Sequence, residues 1–154
     1  MMNLDENDKK ILSILQEDAR ITNVQLASTI GISPPAMLER VKRLEKNGII
    51  KKYAALVDPQ KVGKDTFAFV AVSLSHHQIS SIDLFIKAIN NLDEVLECHH
   101  VTGENDFLLK IAVNNIQEYE KFIIGKFTRI YSVNKIYTSF IMPTFKSKTK
   151  LQLD

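Results

Sequence analysis

Three cations, Arg40, Lys42 and Arg43, crowd into the stretch SPPAMLERVKR, and their spacing decides what they can touch. If a helix begins at Pro34, then Met37, Val41 and Leu44 recur at helical spacing along an inward stripe. Ala36, Glu39, Arg40, Lys42 and Arg43 are left facing outward or to the side. A helix that exposes small and basic side chains can enter the major groove of DNA and pair with phosphates at the groove's edge. Ser33, Pro34 and Pro35 at its start, and Lys51 and Lys52 beyond its end, complete the candidate DNA-binding set. The bland counterpart is a solvated charged face on an ordinary helical bundle.

Other reactive side chains point to less. His76-His77 and Cys98-His99-His100 supply imidazole and thiol ligands for a metal. Adjacent residues on a strand face opposite ways, so each pair turns only one ligand inward, and no metal site is expected. Cys98 reads as a small strand residue. A single cysteine excludes an internal disulfide framework. No Gly-rich phosphate loop, nucleophile elbow or metalloprotease helix occurs, so an enzyme is not expected.

The elements that must position the basic helix are legible around it. Asp5 can cap a first helix carrying Ile11, Leu12 and Leu15 inward, with Asp8 placed for the reciprocal cap. A second helix runs over about 23–30, capped by Thr22 or Asn23, with Val24, Leu26, Ala27 and Ile30 inward. Gly31 supplies a left-handed turn, Ser33 caps the third helix, and its first turn tolerates both prolines because their missing N–H groups need no partner there. GISPP is thus a helix stop and a helix start in five residues, the connection of a helix-turn-helix. IIKKYAALVD, at 49–58, then alternates as a strand leading out.

DPQKVGKD, at 58–65, is polar and reads as a hinge between residues 1–57 and 66–154. Residues 1–64 hold 11 Lys+Arg against 8 Asp+Glu, whereas residues 65–154 hold 9 against 10, so the basic excess lies with the helix-turn-helix. The second part repeats itself at an offset of 38 residues, aligning Phe69 with Phe107, Phe85 with Ile123, Ile89 with Phe127, and Val95 with Val133. Each repeat predicts strand, helix, strand: 67–75, 80–91 and 95–102, then 107–113, 116–130 and 133–145. Two such units make an α+β fold, a ferredoxin-like βαββαβ sheet with both helices on one face. FAFVAVSL supplies apolar side chains to both faces of that sheet, which predicts a dimer covering the open one.

Taken together, LDENDKKILSILQEDARITNVQLA, GISPPAMLERVKRLEKNGIIKKY, ALVDPQKVG and VTGENDFLLKI resemble the Lrp/AsnC (leucine-responsive, feast/famine) family of transcriptional regulators, over nearly the whole chain. The resemblance implies a winged helix-turn-helix transcription factor acting on double-stranded DNA. It also implies homodimers assembling into higher rings, often octamers, and a small effector, commonly an amino acid, bound in clefts between dimers. Gly103 and Asp106 match the family's Gly-x-x-Asp turn, with Glu104 and Asn105 between them; Thr138 and Ser139 match its hydroxyl-bearing last strand. Asp106 then accepts the ammonium of a zwitterion, while the turn and Thr138 donate to its carboxylate. Asn105 departs from the aromatic often found before the Asp, leaving side-chain selectivity open. The same four residues also suit a plain hairpin turn. No cofactor is expected. An effector-independent protein that packs DNA is the alternative function. The polar, acidic N-terminus and the lack of a long apolar run predict a cytoplasmic protein without membrane segments.

Overall fold

A computed structural model describes residues 3–75 and 79–153. It divides into two compact units, residues 1–56 with 146–154, and residues 57–145.

The helical unit contains α1 (Glu6–Leu15), α2 (Asn23–Ile30) and α3 (Pro34–Lys46). Short polar side chains start each one. Asp5 and Asp8 form a reciprocal capping box at α1, Thr22 and Gln25 form another at α2, and Ser33 accepts the Ala36 N–H at α3 with both prolines in the first turn. Gly31 takes φ 83° and hands its N–H to Ala27, closing α2 within one residue. Ile11, Leu26, Ala27, Met37 and Leu44 form the core, with Ile30 and Ile32 packed against it.

Three expectations about this unit need correction. Val24 is 63% exposed, because it lies two residues from Leu26 and so falls on nearly the opposite side of α2. Residues 49–58 form no strand: the N–H groups of Ile49 and Ile50 both turn back to the Leu44 carbonyl, and the two side chains plug the core. Finally, Lys146–Asp154 groups with the helices and not with the second domain. The Gln16 side chain clasps the Leu151 backbone on both sides, Nε2 donating at 3.1 Å and Oε1 accepting at 2.7 Å, and Leu153 joins the helical core. With this segment the helical unit holds 12 Lys+Arg against 8 Asp+Glu.

The second unit contains β1 (Thr66–Leu74), α4 (Ile79–Ile89), β2 (Val95–His100), β3 (Phe107–Val113), α5 (Ile116–Gly125) and β4 (Val133–Phe140). A four-stranded antiparallel sheet has the order β2-β3-β1-β4, the expected βαββαβ arrangement. Helix α5 stops at Gly125, five residues short of the predicted end, and a single 3-10 turn, Phe127–Arg129, follows. On the helix side Val70, Val72, Leu109 and Ile111 interleave with Phe85, Phe122 and Phe127. Phe69 and Phe107, aligned by the internal repeat, face opposite ways: Phe107 is buried under the helices, whereas Phe69 is 40% exposed on the other side. The offset keeps Ile89 with Phe127, both buried, but it pairs exposed Leu84 with buried Phe122, and in the strands the same slip of one residue exchanges faces.

Candidate DNA interface and ligand turn

Ser33, Pro34, Pro35, Ala36, Glu39, Lys42 and Arg43 are all exposed on α3, as are Lys51 and Lys52 in the irregular segment after it. Lys46 joins the outer row of α3, one turn beyond Lys42. Among the described residues neither Lys42 nor Lys46 has an acidic partner.

Arg40 and Arg43 are placed differently. Asp8 on α1 is fully buried, and its carboxylate accepts Arg40 Nη1 at 2.9 Å and Arg43 Nη2 at 2.9 and 2.8 Å. Arg40 Nη1 also reaches Asp5 Oδ2 at 2.6 Å. The four side chains carry no net charge and tie α3 to the first turn of α1. The Arg40 hydrogen bond holds the Asp5 carboxyl below the usual carboxylate range, and the Asp5 and Asp8 contacts keep Arg40 still more firmly protonated. Sequence reading treated these aspartates only as helix caps. The signal it missed was Asp8 itself, a carboxylate on the same stripe as Ile11, Leu12 and Leu15.

In the second unit, Gly103, at φ 122°, opens the turn between β2 and β3. The turn is tied to the end of β1. Asp106 donates its N–H to the Val72 carbonyl at 2.9 Å, and its Oδ2 accepts the Leu74 N–H at 2.7 Å. Ser73 Oγ lies 3.3 Å from both the Glu104 carbonyl and Asn105 Oδ1. Gly103, Glu104, Asn105 and Asp106 thus form the hairpin between β2 and β3, and their bonds tie it to the end of β1.

Thr138 and Ser139 lie elsewhere in the same protomer. Both are on β4, opposite Val70 and Phe69, so they flank β1 on the side away from the turn. Two strand spacings across and three residues along put Thr138 on the order of 10–15 Å from Asp106. They also face opposite ways: the Thr138 hydroxyl bonds Tyr119 under α5, and Ser139 points to the open face. One chain holds the two halves of the predicted ligand site but does not close them into a pocket.

The open face itself carries Phe67, Phe69, Ala71, Leu108 and Tyr137. Beside them Glu97 accepts from Lys110 at 3.0 Å and lies 3.1 Å from His99 Nε2; these contacts, His99 first, hold its carboxyl low. His100 turns the other way onto the Phe107 ring, 5.1 Å between centroids. His76 and His77 lie outside the described residues. Among the described residues no three His, Cys, Asp or Glu side chains stand close enough to hold a metal ion, and no helix is long and apolar enough to cross a membrane.

A helix-turn-helix with a basic outer row, followed by a separate βαββαβ domain, is the architecture of a DNA-binding regulator with a second domain to control it. Comparison with known proteins agrees: the winged helix-turn-helix DNA-binding family matches residues 4–51, and the Lrp/AsnC ligand binding domain matches residues 67–151. The transcriptional regulator AzlB of Bacillus subtilis is 39% identical over 151 residues, covering 98% of this chain and 96% of AzlB. The leucine-responsive regulatory protein of Escherichia coli K12 is 37% identical over 148 residues, covering 96% and 90%. Among solved structures, the transcriptional regulator NMB0573 of Neisseria meningitidis in complex with L-Met superposes with a TM-score of 0.91 at 34% identity, covering 97% and 96%. Escherichia coli AsnC superposes with a TM-score of 0.87 at 25% identity, covering 97% and 99%. The chain belongs to the Lrp/AsnC family of transcriptional regulators. It is a DNA-binding protein with a ligand-binding domain, and its family is one of regulators and not of enzymes.

Proposed function

We propose that this regulator reads specific operators with α3 and that an amino acid, or a closely related zwitterion, adjusts its assembly. Ser33, Pro34, Pro35, Ala36, Glu39 and Lys42 meet the major groove, and Lys46, Lys51 and Lys52 meet flanking phosphates. Arg40 and Arg43 border this surface through their ion pairs with α1. As a regulator of DNA it works in the cytoplasm.

The ligand site is shared between copies of the chain. The observation that carries this reading is the separation of Asp106 from Thr138: two half-sites on opposite flanks of β1 make a pocket once a neighbouring copy supplies the missing half. Gly103, Glu104, Asn105 and Asp106 contribute one half, with Asp106 taking the ammonium. Thr138 and Ser139 contribute hydroxyls for the carboxylate. The L-Met complex of the Neisseria regulator supports an amino acid as the class of ligand. The apolar open face of the sheet supports a homodimer, and ligand in shared clefts couples dimers into a larger ring, an octamer being the form that the family resemblance suggests.

Sedimentation velocity with and without each common amino acid tests this. A mass shift with one amino acid in the wild type, lost in Asp106→Ala, supports the shared site. A constant mass under all of them, together with equal affinity for operator and random DNA, refutes it and favours effector-independent DNA packing.

A further inference from the structure

We propose that Asp8 is a positioning residue for DNA binding: it holds Arg40 and Arg43 in internal ion pairs, and so keeps two guanidinium groups of the recognition helix from indiscriminate phosphate contact. The proposal rests on α3 being the helix that meets DNA.

The burial of Asp8 carries the argument. A carboxylate with no exposure is costly unless paired, so its two cations are retained by the penalty of leaving it alone. Both oxygens are used, three guanidinium contacts falling between 2.8 and 2.9 Å, and the Asp5 N–H lies 3.4 Å from Oδ2. The Arg40 and Arg43 side chains nonetheless remain 26% and 46% exposed, at the edge of the surface that faces DNA. Lys42 and Lys46, on the same helix, have no ion pair among the described residues. The helix thus divides its cations into two committed to the protein and two available to phosphate.

That division bears on specificity. Non-specific affinity grows with the number of phosphates neutralised, whereas base contacts alone distinguish one sequence from another. Two cations neutralised inside the protein remove their phosphate contribution from binding to any sequence, so base contacts make up a larger share of the affinity for an operator.

The experiment measures binding of the full chain to a random-sequence duplex between about 50 and 200 mM salt, each neutralised phosphate contributing about 0.9 to the slope of log K against log salt. Asp8→Asn keeps the volume and removes the charge. It is expected to bind more tightly at low salt and to steepen the slope by about 0.9 to 1.8, an added loss of about 3- to 12-fold across that salt range. Asp5→Asn, at a half-exposed site where Asn still caps α1, removes one of Arg40's partners and is expected to steepen the slope by less, up to about 0.9. Unchanged slopes in both variants, with wild-type circular dichroism, overturn the proposal. So does weaker binding with a shallower slope in Asp8→Asn, which assigns the arginines to phosphates in the wild type. If Asp8→Asn fails to fold, Asp5→Asn decides. Lys42→Ala tests the underlying reading separately: its slope should flatten by about 0.9, and no change there removes α3 from the interface whatever the aspartates do.

Discussion

Replacing Gly31 with alanine isolates the backbone energy stored in the turn between α2 and α3. A Cβ built on Gly31 meets nothing within 4 Å, so the substitution creates no clash, and its cost lies wholly in holding φ at 83°. A left-handed alanine costs about 1–2 kcal/mol. The stiffer unfolded chain returns about 0.4–1 kcal/mol of that. The net expectation is a loss of between about 0 and 1.6 kcal/mol, centred near about 0.8. Gly125, at the end of α5, provides the control: its added Cβ is equally unobstructed and its φ is not positive. There the same chemical change gains about 0.5–1 kcal/mol, because alanine is the better helix former. Gly31→Asn should lie between wild type and Gly31→Ala, since asparagine visits the left-handed region more readily. Urea unfolding followed by NMR signals assigned to each unit separates the two effects, as each mutation should move only its own unit's midpoint. Opposite signs are required. A shift of Gly31→Ala and Gly125→Ala in the same direction would falsify the assignment of cost to backbone conformation alone.

Acid should loosen the α1–α3 contact late: Asp5's folded carboxyl is depressed, so its stabilisation is present above its unfolded value near about pH 4 and disappears as pH falls through the lower folded value. A carboxyl NMR titration in which Asp5 protonates at or above pH ~4 contradicts this. Partial desolvation pushes the Cys98 thiol up although the residue is exposed, so alkylation near neutral pH should be slower than for a free thiol in peptide; equal rates mean that the thiol is not raised. Tyr119→Phe removes the hydroxyl that bonds Thr138 and should cost about 0.5–1.5 kcal/mol in the sheet unit's unfolding, with α1–α3 unaffected.

Local chemistry was readable wherever it is contained within a few residues. The three helix starts depend on Asp5, Thr22 and Ser33 meeting N–H groups three positions on, and Gly31 had to turn left-handed to close so short a link. The βαββαβ order followed from alternating periods and a repeat. What escaped depends on distant partners. The strand pattern at 49–58 reflects two isoleucines that fold back onto Leu44, and nothing local distinguishes that from a ladder. Arg40 looked like a free cation because its partners lie 32 and 35 residues earlier. Of the ligand site, the turn at Gly103–Asp106 was legible as a turn; its distance from Thr138 required the strand order.

The clasp between Gln16 and Leu151 bears on how the chain is made. Residues of α1 leave the ribosome well before residues 146–153, and the whole sheet unit is synthesised between them. The helical unit is therefore begun first and finished last, completed by a segment that arrives only after a foreign domain has emerged. For that interval α1 lacks both hydrogen bonds that Gln16 makes to Leu151, and the helical core lacks Leu153.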